Sequence, residues 1–301
     1  MKTKILLITI LILLSGFGVF IFISQMNTNE SSPMNHPFSN INHTDNEHIR
    51  EKSIHDNKQE TPTNEENAPT KNFKGAITEA FKDTVAYFSN KEMNIVAIGD
   101  SLTQGVGDST KQGGYVGILD NTINQNNQVA NFYNFGHRGD RTVQLRKRLD
   151  NPKVSSAIQD ADIILITIGA NDIMQVLKDN ITNLTLNKFR EERVHYEARL
   201  RDIFSEIRRL NADANIFLIG FYNPYDKYFK DIKELAIIVD EWNGTGEAIT
   251  EELENVAFIP TSDLFDKTDK DLIAEDNFHP NNRGYQLMAK RVLMYLTKQE
   301  R

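Results

Sequence analysis

The feature that most constrains this fold is a rhythm of short apolar runs separated by longer stretches with helical spacing. Ile95-Val-Ala-Ile98 runs directly into Gly99-Asp100-Ser101, and Val129 to Phe135, Ile163 to Ile168, Asn215 to Gly220 and Val256 to Ile259 follow. A short apolar run bounded by glycine reads as a buried strand. Gly114 to Asn124, Lys188 to Leu210, Ile232 to Leu253 and Asn281 to Thr297 have the helical period. The second of these is expected to turn Phe189, Val194, Leu200, Ile203, Phe204, Ile207 and Leu210 inward. The third is expected to be interrupted by Gly244 and Gly246. Strands alternating with helices imply an α/β protein with a parallel sheet covered on both faces. Ala76 to Phe88 predicts one further amphipathic helix, so the folded domain is expected over residues 73–301.

The N-terminal quarter is different. Lys2 and Lys4 precede an apolar run from Ile5 to Ile23, close to the ~20 residues needed to span a bilayer. Residues 1–26 therefore read as a membrane anchor, with a cleaved secretory signal as the alternative. Either one places the remainder outside the cytoplasm, because the lysines stay inside. Residues 27–72 are rich in Asn, Ser, Thr, Glu and Lys and read as a disordered tether. Such a tether would reach roughly 35–40 Å. It holds His36, His43, His48 and His55, whose spacings match no metal-ligand pattern. The net charge of −8 and the lack of a basic stripe argue against a nucleic-acid partner. With no cysteine, thiolate chemistry, disulfides and lipid attachment to cysteine are excluded.

In an open α/β sheet, reactive groups gather beyond the carboxyl ends of the strands. Ser101 follows the first strand, although Gly-Asp-Ser is also an ordinary turn. A serine needs a base. Three histidines lie in the folded part. His137 falls in the loop after the second strand, and His195 reads as a solvated helix residue. His279 stands three residues after Asp276, a spacing that lets the carboxylate hold one ring nitrogen while the other faces a serine. A helix cap with Pro280 in the first turn is the plainer reading. Two loops could supply oxyanion donors. One is Gly136-His-Arg-Gly139-Asp140, where a glycine lets backbone approach a substrate. The other is Gly169-Ala-Asn171-Asp172, where Asn171 carries an amide; it also reads as a turn with Asp172 as a helix N-cap.

These four stretches, in this order, resemble the SGNH hydrolases, also called GDSL esterases or lipases. Gly99-Asp100-Ser101-Leu102 resembles the first block, with Ser101 as nucleophile. Gly139 resembles the glycine of the second block, with Gly136 as the alternative. Gly169-Ala-Asn171-Asp172 resembles the third, and Asp276-Asn-Phe-His279 the fifth. The resemblance covers about residues 94–298. It is nearest to bacterial lipases and acylhydrolases with an N-terminal membrane segment.

That resemblance implies a flavodoxin-like three-layer α/β/α sandwich with five parallel strands. It implies a triad of Ser101, His279 and Asp276, and an oxyanion hole of Ser101, Gly139 and Asn171. It requires no cofactor and no metal. The implied substrate is a small-molecule or lipid ester, such as a lysophospholipid, hydrolysed at a membrane. O-acetyl groups on wall polysaccharide, acyl transfer to an alcohol, and a tethered binding protein without turnover remain alternatives. Arg138 and Arg141 beside Gly139 read as a solvated loop, with contacts to substrate or to an acidic partner as the alternative. The aromatic segment Tyr222 to Phe229 reads as a helix that lines an acyl pocket or simply packs.

Overall fold

The structure, a computed structural model, describes residues 92–226, 232–266 and 271–297. The expected anchor (1–26), the tether (27–72), the helix Ala76 to Phe88 and Phe229 lie outside the described residues. Among the described residues, no helix is long and apolar enough to cross a membrane.

Five parallel strands form one sheet: β1 (Met93–Gly99), β2 (Ala130–Gly136), β3 (Ile163–Thr167), β4 (Asn215–Ile219) and β5 (Val256–Ile259). Their order is β2-β1-β3-β4-β5. The chain winds from β1 out to β2, then crosses back to β3. Strand order therefore reverses between β1 and β3, and a crevice opens there at the carboxyl ends. Gly99 pairs with Gly136 on one side and Thr167 on the other, so these three strands end level. The loops that follow them emerge side by side.

Alternation along the strands explains the layers, because successive side chains point to opposite faces. Val96, Ile98, Ile164, Ile166, Ile216 and Leu218 join one core. That core is closed by α3 (Thr142–Arg148), α4 (Pro152–Gln159), α5 (Ala170–Asp179), α6 (Leu186–Leu210) and α7 (Lys233–Glu251). Ile95, Ala97, Ile163, Leu165, Phe217 and Ile219 join the other. There α1 (Ser101–Gln104), α2 (Gly114–Ile123), α8 (Ser262–Phe265) and α9 (Asn282–Leu296) cover the sheet. Each fully buried Ile or Leu contributes roughly 1.5–3 kcal/mol relative to exposure.

Several local expectations are corrected. α7 runs unbroken through Gly244 and Gly246. A Cβ on Gly246 would lie 2.9 Å from Leu218 Cδ2, so the glycine lets α7 press onto β4, and packing outweighs propensity. On α6, Val194 is 62% exposed, and Tyr196 is buried instead, its ring 4.7 Å from that of Trp242. Tyr196 lies seven residues after Phe189 and four before Leu200, which is the helical spacing. α3 and α4 were not expected. Both are short, and α4 is set by its Asn151 cap, Pro152 at its start, and Val154 and Ile158 inward. Residues 221–226 form no helix.

Candidate active site

Ser101 opens α1 directly beyond β1 and is buried. Gly99 makes this junction possible. Its φ is +142°, and a Cβ there would lie 2.1 Å from Thr167 O. Asp100 caps α1: its Oδ1 accepts from Leu102 N at 3.0 Å and from Thr167 Oγ1 at 2.8 Å. Thr167 Oγ1 lies 2.7 Å from Thr103 Oγ1, which lies 3.1 Å from the Tyr115 hydroxyl. Burial pushes the Asp100 carboxyl up to about 7, against the pull of those two hydrogen bonds. The turn that carries Ser101 is thus held from beneath by a buried polar network.

His279 arrives on a tight loop between α8 and α9. Asp276 Oδ1 accepts from the Phe278 and His279 amides, each at 3.0 Å. Asp276 Oδ2 lies 2.5 Å from His279 Nδ1, and His279 Nε2 lies 2.8 Å from Ser101 Oγ. Burial raises the Asp276 carboxyl, but the His279 hydrogen bond, its charge and the two amides outweigh that and hold it below the usual carboxylate range. The Tyr222 hydroxyl donates to Phe278 O at 2.8 Å and pins the loop from β4's side. The helix cap belongs to Asn281, whose side chain accepts from Arg283 N and Gly284 N. Pro280 precedes the cap and bridges to Ile273, so it is not in the first turn of α9.

The two loop glycines separate clearly. Gly136 closes β2, donates its N–H to Asn134 Oδ1 at 2.8 Å, and packs on Gln104. Gly139 has φ +84° and nothing within 4 Å of where a Cβ would stand. Among the described residues, neither the Ser101 N–H nor the Gly139 N–H has a hydrogen-bond partner. Asn171 is the second residue of α5, after Ala170 and the actual cap, Gly169; Asp172 sits in the first turn and accepts from Thr142 N and Oγ1. Asn171 Nδ2 donates to Asp140 O at 3.0 Å, leaving its second amide hydrogen for a ligand. The arrangement offers a hydroxyl, an imidazole backed by a carboxylate, and three N–H groups around one crevice. His195 is exposed on α6, as expected, and His137 pairs with Asp140 instead of with Ser101.

Residues 97–287 match the GDSL-like Lipase/Acylhydrolase family. The chain belongs to this family. It is 38% identical over 209 residues to the YpmR protein of Bacillus subtilis, covering 68% of this chain and 82% of that one. It is 26% identical over 208 residues to the spore germination lipase LipC of Bacillus licheniformis, covering 66% and 94%. Among solved structures, a lipase from a goat rumen metagenome, Lip_vut3, superposes with a TM-score of 0.60 at 24% identity, over 68% of this chain and 97% of its own. The protein is therefore a GDSL-type serine hydrolase acting on ester bonds.

Beside the crevice, this GDSL-like hydrolase carries an apolar cleft of about 510 Å³, its open mouth included. Ala170, Ile173 and Leu177 of α5 form one wall, and Leu235 and Ile238 of α7 another. Tyr222, Tyr225 and Phe278 close it next to His279. Tyr222 both packs, stacked on Phe265 at 3.8 Å, and lines this space. Neither the Tyr222 pin nor Arg148, described below, was singled out from sequence. Among the described residues, no group of His, Asp and Glu could hold a metal ion.

Proposed function

We propose that this hydrolase cleaves acyl esters through an acyl-enzyme on Ser101, with the acyl chain in the apolar cleft. The observation that carries this reading is the continuous relay Asp276–His279–Ser101, with contacts of 2.5 and 2.8 Å. In this reading Ser101 Oγ attacks the ester carbonyl while His279 Nε2 takes its proton. Asp276 fixes the ring tautomer through Nδ1 and stabilises the imidazolium. The Ser101 N–H, the Gly139 N–H and the Asn171 amide receive the oxyanion. His279 then protonates the leaving alkoxide. Water, deprotonated by the same imidazole, attacks the acyl-enzyme, and Ser101 recovers its proton as the acid leaves.

The cleft favours chains longer than acetyl. A lone methyl group would leave most of the α5 and α7 walls wet, whereas each buried methylene contributes about 0.8 kcal/mol. The likeness to a spore germination lipase points the same way. We further read residues 1–26 as the anchor that keeps the domain outside the cytoplasm and near a membrane, with lysophospholipid-like esters within the tether's reach.

The test is a series of p-nitrophenyl esters from acetate to decanoate, given to the full chain in detergent and to Ser101→Ala. Turnover rising from acetate to a medium chain, and abolished in Ser101→Ala, is the expected outcome. A fluorophosphonate probe should label the native chain and spare the variant. Ser101→Ala hydrolysing at the native rate would sink the reading. A preference for acetate would keep the mechanism and transfer the substrate to O-acetyl groups.

A further inference from the structure

We propose that Arg148 is a positioning residue: its guanidinium sets the oxyanion loop against the nucleophile turn. The inference rests on the acyl-enzyme reading above. Arg148 lies in the last turn of α3, outside all four motif stretches. Its side chain is only 26% exposed and runs back under the strand ends. Nη1 donates to Asp140 Oδ2 at 2.6 Å and reaches Gly99 O at 3.4 Å, and Nη2 donates to Phe135 O.

Those three acceptors belong to three segments that the chemistry needs in register. Gly99 ends β1 and precedes Ser101 by two residues. Phe135 lies in β2, which feeds the loop. Asp140 directly follows Gly139, and its own carbonyl receives Asn171 Nδ2 at 3.0 Å. One planar group therefore ties the Ser101 turn to the Gly139 loop, on which the Asn171 side chain in turn rests.

The chemistry of the side chain matters. Guanidinium presents several donors in a fixed fork, whereas an ammonium is a single point of attachment. Lysine at this position could hold the Asp140 carboxylate or a strand carbonyl, but not all three at once. The Asp140 side chain is 5% exposed, and its other partner, His137, is 67% exposed. Without the fork, a buried carboxylate is left to a solvated imidazole, and the loop carrying Gly139 loses its fixed height above β1. An oxyanion donor acts only where it is already aimed when charge develops, so small displacements cost turnover more than binding.

The experiment compares the full chain with Arg148→Lys, Asp140→Asn, Asn171→Ala and the double variant Arg148→Lys/Asn171→Ala on p-nitrophenyl butyrate. Ser101→Ala serves as control. For Arg148→Lys, kcat should fall at least about tenfold with KM changed by less than about threefold. Asp140→Asn opens the same contact from the other side and should show the same split, so the question is answered even if one variant folds poorly. The double variant should lose far less than the product of the single losses, because both changes act on one oxyanion. Native kcat in Arg148→Lys and Asp140→Asn, or strictly multiplicative losses in the double variant, overturns the proposal. If Ser101→Ala keeps its activity, the failure lies instead with the acyl-enzyme reading.

Discussion

His279 meets Asp276 across 2.5 Å, and His137 meets Asp140 across 2.8 Å; both contacts use Nδ1, and both pairs are separated by three residues. Their surroundings differ in two ways. The His279 side chain is 4% exposed, against 67% for His137. The second nitrogen of His279 reaches Ser101 Oγ, while Asp140 spends its other oxygen on Arg148. A carboxylate three residues from a histidine is thus enough to make a dyad, and not enough to make a base. What marks His279 as the proposed base is burial of its ring and the Ser101 hydroxyl at its far side. The His137 pair has a different use, fastening the loop that carries Gly139.

The sharpest way to break this comparison is to remove each ring in turn. His279→Ala should lower kcat by on the order of 10⁵-fold or more, the scale seen when a member of a triad is lost. His137→Ala should change it by less than about tenfold, since Arg148 still holds Asp140. Steady-state rates on one aryl ester decide it, and equal losses in the two variants would erase the distinction. The carboxylates come next. Asp276→Asn keeps the shape but favours the wrong tautomer, and should cost about 10³–10⁴-fold in kcat. Asn171→Ala touches the oxyanion and not the base, and should cost about 10²–10³-fold with a smaller change in KM.

Both sides of the comparison bear on what could be read from sequence. The five strands were legible because each is a short apolar run between polar turns, and a parallel strand buried on both faces needs little else. Ser101, Asn171, Asp276 and His279 could be singled out because each lies at a strand end or a loop with its chemistry displayed. Gly139 is preferred to Gly136 only through the family resemblance; the physical ground, that Asn134 occupies the Gly136 amide, is visible only in the fold. Arg148 was hidden among Arg146, Lys147 and Arg148, three cations that all suit the last turn of a helix. Arg146 turns outward to Asp150 and Asp202, and only Arg148 turns under the sheet. The two helices between β2 and β3 were missed because they are short and carry few apolar residues. Of the cleft, only the edge formed by Tyr222 and Tyr225 was legible; the α5 and α7 walls come from segments far apart in the chain.

The comparison sharpens further with a carboxylate that has no histidine. Asp100 lies one residue from the nucleophile, and burial raises it to about 7, whereas Asp276 is held below its usual range. The signs for stability are opposite. Asp100 binds its proton more tightly folded than unfolded, so its protonation favours the fold below about pH 4, and that contribution is lost as pH rises towards about 7. Asp276 contributes above the unfolded carboxylate pKa, and its contribution is lost as pH falls through its depressed folded value. Stability measured from pH 2 to 8 should therefore show Asp100→Asn gaining on the native protein as pH rises from about 4 to 7, by up to a few kcal/mol, because each pKa unit corresponds to about 1.4 kcal/mol. Asp276→Asn should move the other way, closing on the native protein only at the acid end. Parallel curves for the two variants would mean that the buried network beneath Ser101 does not hold a strained carboxylate, and that the turn is stabilised by its glycine and cap alone.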